Sequence, residues 1–250
     1  MDLPKNINNI VSIHKEYTQM NAKQFVEQIV ADNQALFRAS QLNVKSYFDS
    51  KPAQEELVQH FIGRMVNERM NMVEIAQQVA NMPADADPVE LQLLTKQAHD
   101  EAVHFNLVKE VIEHITGEQL DVNAAIAAEQ AKPTAKGASL LAKYGAETDA
   151  AALAAYQLVA EGRAEAVWDQ MAECIEDEFI SSAYAKIARD EGFHAKIGGS
   201  KLEKLATSES EQARILDLVA KMRKDLYEVS CKNTTATVEG RELVADAYGW

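Results

Sequence analysis

Two short stretches carry side chains able to hold metal ions. Asp100-Glu101-x-x-His104 and Asp190-Glu191-x-x-His194 repeat one pattern. On a helix, residues three apart share a face. Glu101 with His104, and Glu191 with His194, can therefore each offer a carboxylate oxygen and an imidazole nitrogen to one cation. A lone Glu-x-x-His means little, since a Glu-rich chain with 6 histidines yields roughly 0.6 such matches by chance. The preceding Asp lowers that expectation to roughly a few hundredths, and a second copy lowers it further.

Four long helices are expected to position these residues. One runs over about 53–81 with the stripe Phe61, Met65, Glu68, Met72, Ile75, Val79, and a second over about 88–116 with Leu94, Ala98, Glu101, His104/Phe105, Val108, Val111/Ile112. A third, about 148–175, carries Leu158, Glu161, Ala164/Glu165, Trp168 and Met171/Ala172. The fourth ends near 206 and carries Tyr184, Ile187, Glu191, His194 and Leu202. Steps of three and four mark one face of each helix, and each face holds an acid among apolar residues. An ionised carboxylate in such a place is expensive unless it is paired or bound to metal; two divalent cations would neutralise four of them and use both imidazoles.

The register supports this. Glu68 and Glu101 lie at equal distances from the Pro-Ala-Asp-Ala-Asp turn at 83–87, and Glu161 and Glu191 are symmetric about residue 176. In antiparallel hairpins each acid then lies level with its Glu-x-x-His partner. Residues 117–147 read as a long crossover between the hairpins. A further helix is expected over 21–49 and another over 208–230, opened by a Ser208-x-x-Glu211 capping box, with 231–250 as a loose tail. All of this reads as a single helical domain, 1–250, with its core bundle over about 55–206.

Composition agrees. The chain has 250 residues, only 10 Gly and 5 Pro, and a net charge of −14, which suits a mostly helical protein and disfavours nucleic acid as a partner. Its two cysteines, Cys174 and Cys231, imply neither a disulfide framework nor a Cys-based zinc site. No signal peptide or membrane-spanning stretch is evident, so a cytoplasmic location and no membrane partner are expected. Asn233-Thr-Thr235 matches a glycosylation sequon, discounted for want of a secretion signal.

The set Glu68, Asp100-Glu101-x-x-His104, Glu161, Asp190-Glu191-x-x-His194 resembles the ferritin-like di-iron carboxylate superfamily, over about residues 55–206, and its oxygenase and oxidase branch more than the storage ferritins. The resemblance implies an all-α, ferritin-like four-helix bundle with a long crossover and extra N- and C-terminal helices. It implies metal ligation by Glu68, Glu101, His104, Glu161, Glu191 and His194, with Asp100 and Asp190 behind them, each accepting the other imidazole N–H of a ligand His. It implies two Fe ions, with Mn as an alternative, and O2-dependent oxidation of a small organic substrate by a homodimer drawing on a reductase or ferredoxin. The other functions weighed are a ferroxidase or iron-handling protein and a dimanganese catalase or rubrerythrin-like peroxidase. Val103 and Phe193 stand where the hydroxylases usually carry Arg, and Val108 stands where a ribonucleotide reductase subunit would carry Tyr. The haem-oxygenase-like di-iron oxidases are a second resemblance, weakened by Ile187 in place of a His.

Some positions have competing readings. Glu165, one turn after Glu161, is an alternative ligand, and Glu74 is a rival to Glu68 on a more polar face. His99 is expected to be exposed, and His14, His60 and His114 structural or solvated. Met65, Met72, Phe105, Trp168, Tyr184 and Phe193 are first of all core. Gly162 and Gly192 are expected to make room near the metals.

Overall fold

The structure, a computed structural model, describes residues 20–132, 140, 143–144, 149–230 and 238–248. The chain is all α, with a core four-helix bundle, additional N- and C-terminal helices, and no sheet among the described residues. The helices are α1 (Ala22–Asp32), α2 (Gln34–Asp49), α3 (Gln54–Asn81), α4 (Pro88–Thr116), α5 (Val122–Gln130), α6 (Ala150–Tyr156), α7 (Gly162–Cys174), α8 (Glu178–Leu205), α9 (Glu209–Ser230) and α10 (Val238–Tyr248). The bundle consists of α3, α4, α7 and α8. A π-helical turn, Gln157–Glu161, joins α6 to α7. No described helix is long and apolar enough to cross a membrane.

The chain divides into two units; three of the four boundaries fall inside helices α2, α7 and α8, and the fourth lies at Thr148/Asp149, just before α6. One comprises Lys45–Thr148 and Trp168–Asp190. Its centre is the α3–α4 hairpin. Asp87 caps α4 by accepting from the Val89 N–H at 2.9 Å, and Pro88 occupies the first helical position, where its missing N–H costs nothing. The helix stops at Gly117, whose φ of 70° is a conformation that favours glycine. Phe61, Met65, Val108, Val111, Trp168, Tyr184 and Ile187 are buried here, and α5 packs on α3.

The other unit comprises the chain up to Val44, Asp149–Val167 and Glu191 onward. Here α9 packs against α6, the π turn, α1 and α10. Asp149 caps α6 through the Ala151 N–H and pairs with Arg214. Ser208 accepts from the Glu211 N–H at 3.3 Å at the start of α9.

Two expectations need correction. The helix expected over 21–49 is two helices. Asn33, fully buried, donates from Nδ2 to the Ile29 carbonyl at 2.7 Å and accepts from Arg223 Nε at 3.0 Å. A side chain that competes for the helix's own carbonyl interrupts it. The tail is not wholly loose either, since Val238–Tyr248 forms α10, tied to α2 by a two-pronged Arg38–Glu239 ion pair at 2.7 and 3.2 Å. The Asn233 sequon lies outside the described residues.

One helix crossing sets the position of Glu161. A Cβ on Gly198 would lie 2.6 Å from the Ala154 carbonyl oxygen, 2.6 Å from the Leu158 nitrogen and 2.8 Å from the Gln157 Cβ. Two of those atoms are backbone, so α8 can pass the segment leading into the π turn this closely only without a side chain. At the neighbouring Gly199 a Cβ would meet nothing nearer than 3.5 Å. Gly198→Ala is therefore expected to destabilise the protein by about 2–3 kcal/mol, and Gly199→Ala by less than about 1 kcal/mol. Urea unfolding of the pair measures the difference; equal midpoints would show that the crossing is not tight.

Candidate metal centre

Each predicted ligand sits on a bundle helix or at its edge. Glu68 is on α3, Glu101 and His104 on α4, Glu191 and His194 on α8, and Glu161 ends the π turn before α7. All six are buried: Glu101, His104 and His194 are 0% exposed, Glu191 1%, Glu68 2% and Glu161 7%. The π turn matters because its wider winding shifts the register of α7 relative to α6, and such turns are frequent at functional sites.

The ligand atoms cluster in two groups. Glu68, Glu101, His104 and Glu191 each place one ligand atom within 4.8 Å of the others, and Glu101, Glu161, Glu191 and His194 do the same. Glu101 and Glu191 belong to both. His104 turns Nδ1 to the acids, 3.6 Å from Glu68 Oε2 and 3.7 Å from Glu101 Oε2. His194 Nδ1 lies 3.1 Å from Glu191 Oε2.

The donor set suits divalent cations of the iron and manganese type, which take carboxylate and imidazole together. Glu68 Oε2 supports this, being buried without accepting any hydrogen bond. A carboxylate oxygen in that state is costly unless a cation occupies its lone pair.

Behind the ligands, Asp190 Oδ2 is 3.2 Å from His104 Nε2 and 2.6 Å from Lys186 Nζ. Burial pushes the Asp190 carboxyl up, but the Lys186 and His104 hydrogen bonds together outweigh it and leave it below the ordinary carboxylate range. An ionised Asp190 holds the proton on Nε2 and so keeps Nδ1 available as a donor to metal. Asp100, 7% exposed, pairs with Lys96.

Lys96 and Lys186, which pair with these two aspartates, lie outside the Glu-x-x-His pattern. The repeat is in fact nine residues long, Lys-x-x-x-Asp-Glu-x-x-His, at 96–104 and 186–194. The i,i+4 spacing of Lys and Asp was the signal. Asp190→Asn is expected to weaken metal binding at the His104 group by about 10–100-fold while leaving the His194 group unchanged. Stepwise metal titration by calorimetry measures both constants, and two unchanged steps would remove Asp190 from the site.

Among the remaining candidates, Glu165 is outside both groups. It is exposed, and its carboxylate lies over the Gly192 Cα, where a Cβ would come within 2.4 Å of Oε1. Gly192 therefore makes room for Glu165 rather than for metals. Gly162 does so for the Phe37 ring, which a Cβ would meet at 3.0 Å. His99 is exposed, as expected, and His114 pairs with Asp177 at 2.9 Å. Glu74 is in neither metal-ligand group.

Fold and site together define a four-helix bundle with two buried Glu/His clusters consistent with a ferritin-like di-metal site. No protein-family model matches the chain, and neither a curated protein nor a solved structure matches it.

Proposed function

We propose that this chain is a non-haem di-iron oxidoreductase that uses O2 to oxidise a small organic substrate. The observation that carries the reading is the pair of buried ligand groups joined through Glu101 and Glu191. Glu68 and His104 would complete the hold on one ion, Glu161 and His194 on the other, with Glu101 and Glu191 serving both. The iron pair, when bound, supplies the redox chemistry toward O2, and manganese fits the same donors.

The chain's own residues supply the rest. Asp190, held by Lys186, keeps the His104 ring oriented with its proton on Nε2. Asp100 is assigned the corresponding duty toward His194. The buried side chains of Phe61, Met65, Trp168, Tyr184 and Ile187 form the apolar core from which water is excluded. Reduction of O2 calls for electrons from outside, so a reductase or ferredoxin partner belongs to the reading, as does a homodimer in the cytoplasm.

Anaerobic titration with ferrous iron, followed by O2 while the optical spectrum is recorded, tests it. Two ions per chain, then O2 uptake with the appearance of ferric absorption in a dimer-sized particle, is the expected result. Binding of fewer than two ions, or a spectrum indifferent to O2, would sink the reading. A large shell that accumulates iron beyond two per chain would point to storage instead, and rapid peroxide disproportionation by the manganese form to a catalase.

A further inference from the structure

The nine-residue repeat includes one residue type that cannot ligate a metal at neutral pH. Lys96 and Lys186 stand four residues before Asp100 and Asp190. With 25 Lys and Arg in 250 residues, a cation at one given position has a chance of roughly one in ten, and at both of roughly one in a hundred. Helix stabilisation does not account for the pairs. An acid ahead of its lysine suits a helix better than the reverse order found here. Lys45 and Asp49 share the spacing, but that acid is 62% exposed, and an ion pair in solvent contributes little. The side chains of Asp100 and Asp190 are only 10% and 22% exposed.

The position of the pairs is what sets them apart. Asp190 Oδ2 accepts from Lys186 Nζ at 2.6 Å and from His104 Nε2 at 3.2 Å. One oxygen thus meets an ammonium on its outer side and the ring of a predicted ligand on its inner side. Lys96 pairs with Asp100, the more buried of the two acids, at the first motif. Lysine is a compact point charge. It supplies one positive charge beside each outer aspartate.

That charge has a consequence for the ions. Four ligand glutamates balance two divalent cations. The two aspartates would add two negative charges close behind the ligands, a surplus that favours ions of higher charge. The lysines cancel the surplus, so a divalent pair is balanced and a trivalent pair is not. We propose that Lys96 and Lys186 are positioning residues that set the valence of the centre: acting through Asp100 and Asp190, they favour divalent over trivalent ions. On the di-iron reading, on which this consequence rests, they favour the ferrous pair and ease the return of electrons to an oxidised one.

Competition between Zn2+ and Ga3+, both redox-inert, for the full-length protein tests it, with a chelator fixing the free concentration of each and elemental analysis of the desalted protein as the readout. Coulomb's law over about 10 Å, at an effective dielectric constant of 20–80, gives a factor of about 2–15 per unit charge. Lys96 and Lys186 are 48% and 43% exposed, which places each near the lower end. Lys186→Met and Lys96→Met should each raise the Ga3+/Zn2+ affinity ratio by about threefold, and the double variant by about tenfold. Lys186→Arg and Lys96→Arg keep the charge and should keep the wild-type ratio. A loss of ligand order weakens both ions alike and cancels in the ratio, so a ratio unchanged in the double variant would overturn the proposal, even with both affinities reduced. Should a Met variant not fold, Gln at the same position decides. Two zinc ions per chain with an unchanged ratio sinks the valence role alone. A shifted ratio in a protein whose ferrous form ignores O2 sinks the oxidoreductase reading alone.

Discussion

Glu101→Ala and Glu191→Ala are each expected to abolish both metal-binding steps, whereas Glu68→Ala, His104→Ala, Glu161→Ala and His194→Ala each remove one. The asymmetry comes from membership: Glu101 and Glu191 contribute an atom to both ligand groups, and the other four residues to only one. Losing an outer partner of a ligand costs about 10–100-fold in affinity, so losing a ligand itself should exceed that at every group it serves. The measurement is metal content after gel filtration of protein loaded anaerobically with ferrous iron, with zinc as a redox-inert check. The pattern expected is two ions in the wild type, none in the two shared-residue variants and one in the other four. Buried glutamates in a merely structural hydrogen-bonded network would not sort this way. Two ions retained in Glu101→Ala and Glu191→Ala would end the ligand assignment.

The parts of this arrangement legible in the sequence were those fixed by local chemistry. Pro88 and Gly117 bound α4 because one lacks an N–H and the other tolerates a positive φ, and both properties are visible in the residue type. The levels of Glu68 with Glu101 and of Glu161 with Glu191 came from counting residues about two turns of chain. The features that stayed hidden depend on partners distant in sequence. Asn33 looks like a tolerable polar residue within a helix until Arg223 is seen against its side chain. The π turn adds a winding that a period of 3.6 cannot represent. Nothing local distinguishes Gly198, pressed against the Ala154 carbonyl, from Gly199, which has room. Helix α10 contains Gly240 and has no pronounced apolar stripe, yet Arg38 ties it to α2 from 201 residues away. Lys96 and Lys186 are a different case. Their spacing to Asp100 and Asp190 is local and repeated, but an ammonium is no metal ligand, so ligand chemistry alone does not mark them.

Loading with metal is expected to reverse the order of stability between the wild type and the Glu101→Gln protein. Six potential donors, four of them carboxylates, lie 0–7% exposed in two groups less than 4.8 Å across. Without cations the chain bears the cost of that desolvated, like-signed cluster. With cations at about one hundred times their dissociation constant, each site adds about 2.7 kcal/mol, so two sites raise Tm by about 10–20 °C in a chain of this size. Gln keeps nearly the volume of Glu and removes one negative charge and one metal donor. The metal-free Glu101→Gln protein should therefore melt above metal-free wild type, while the wild type alone should gain from metal and end well above the variant. Thermal unfolding with chelator and with excess zinc, four curves in all, measures the crossing. A carboxylate held only by structural hydrogen bonds predicts the opposite pattern, with Glu101→Gln less stable than wild type under both conditions and zinc without effect on either. The crossing thus tests whether this core was shaped around cations, independently of any reaction they support.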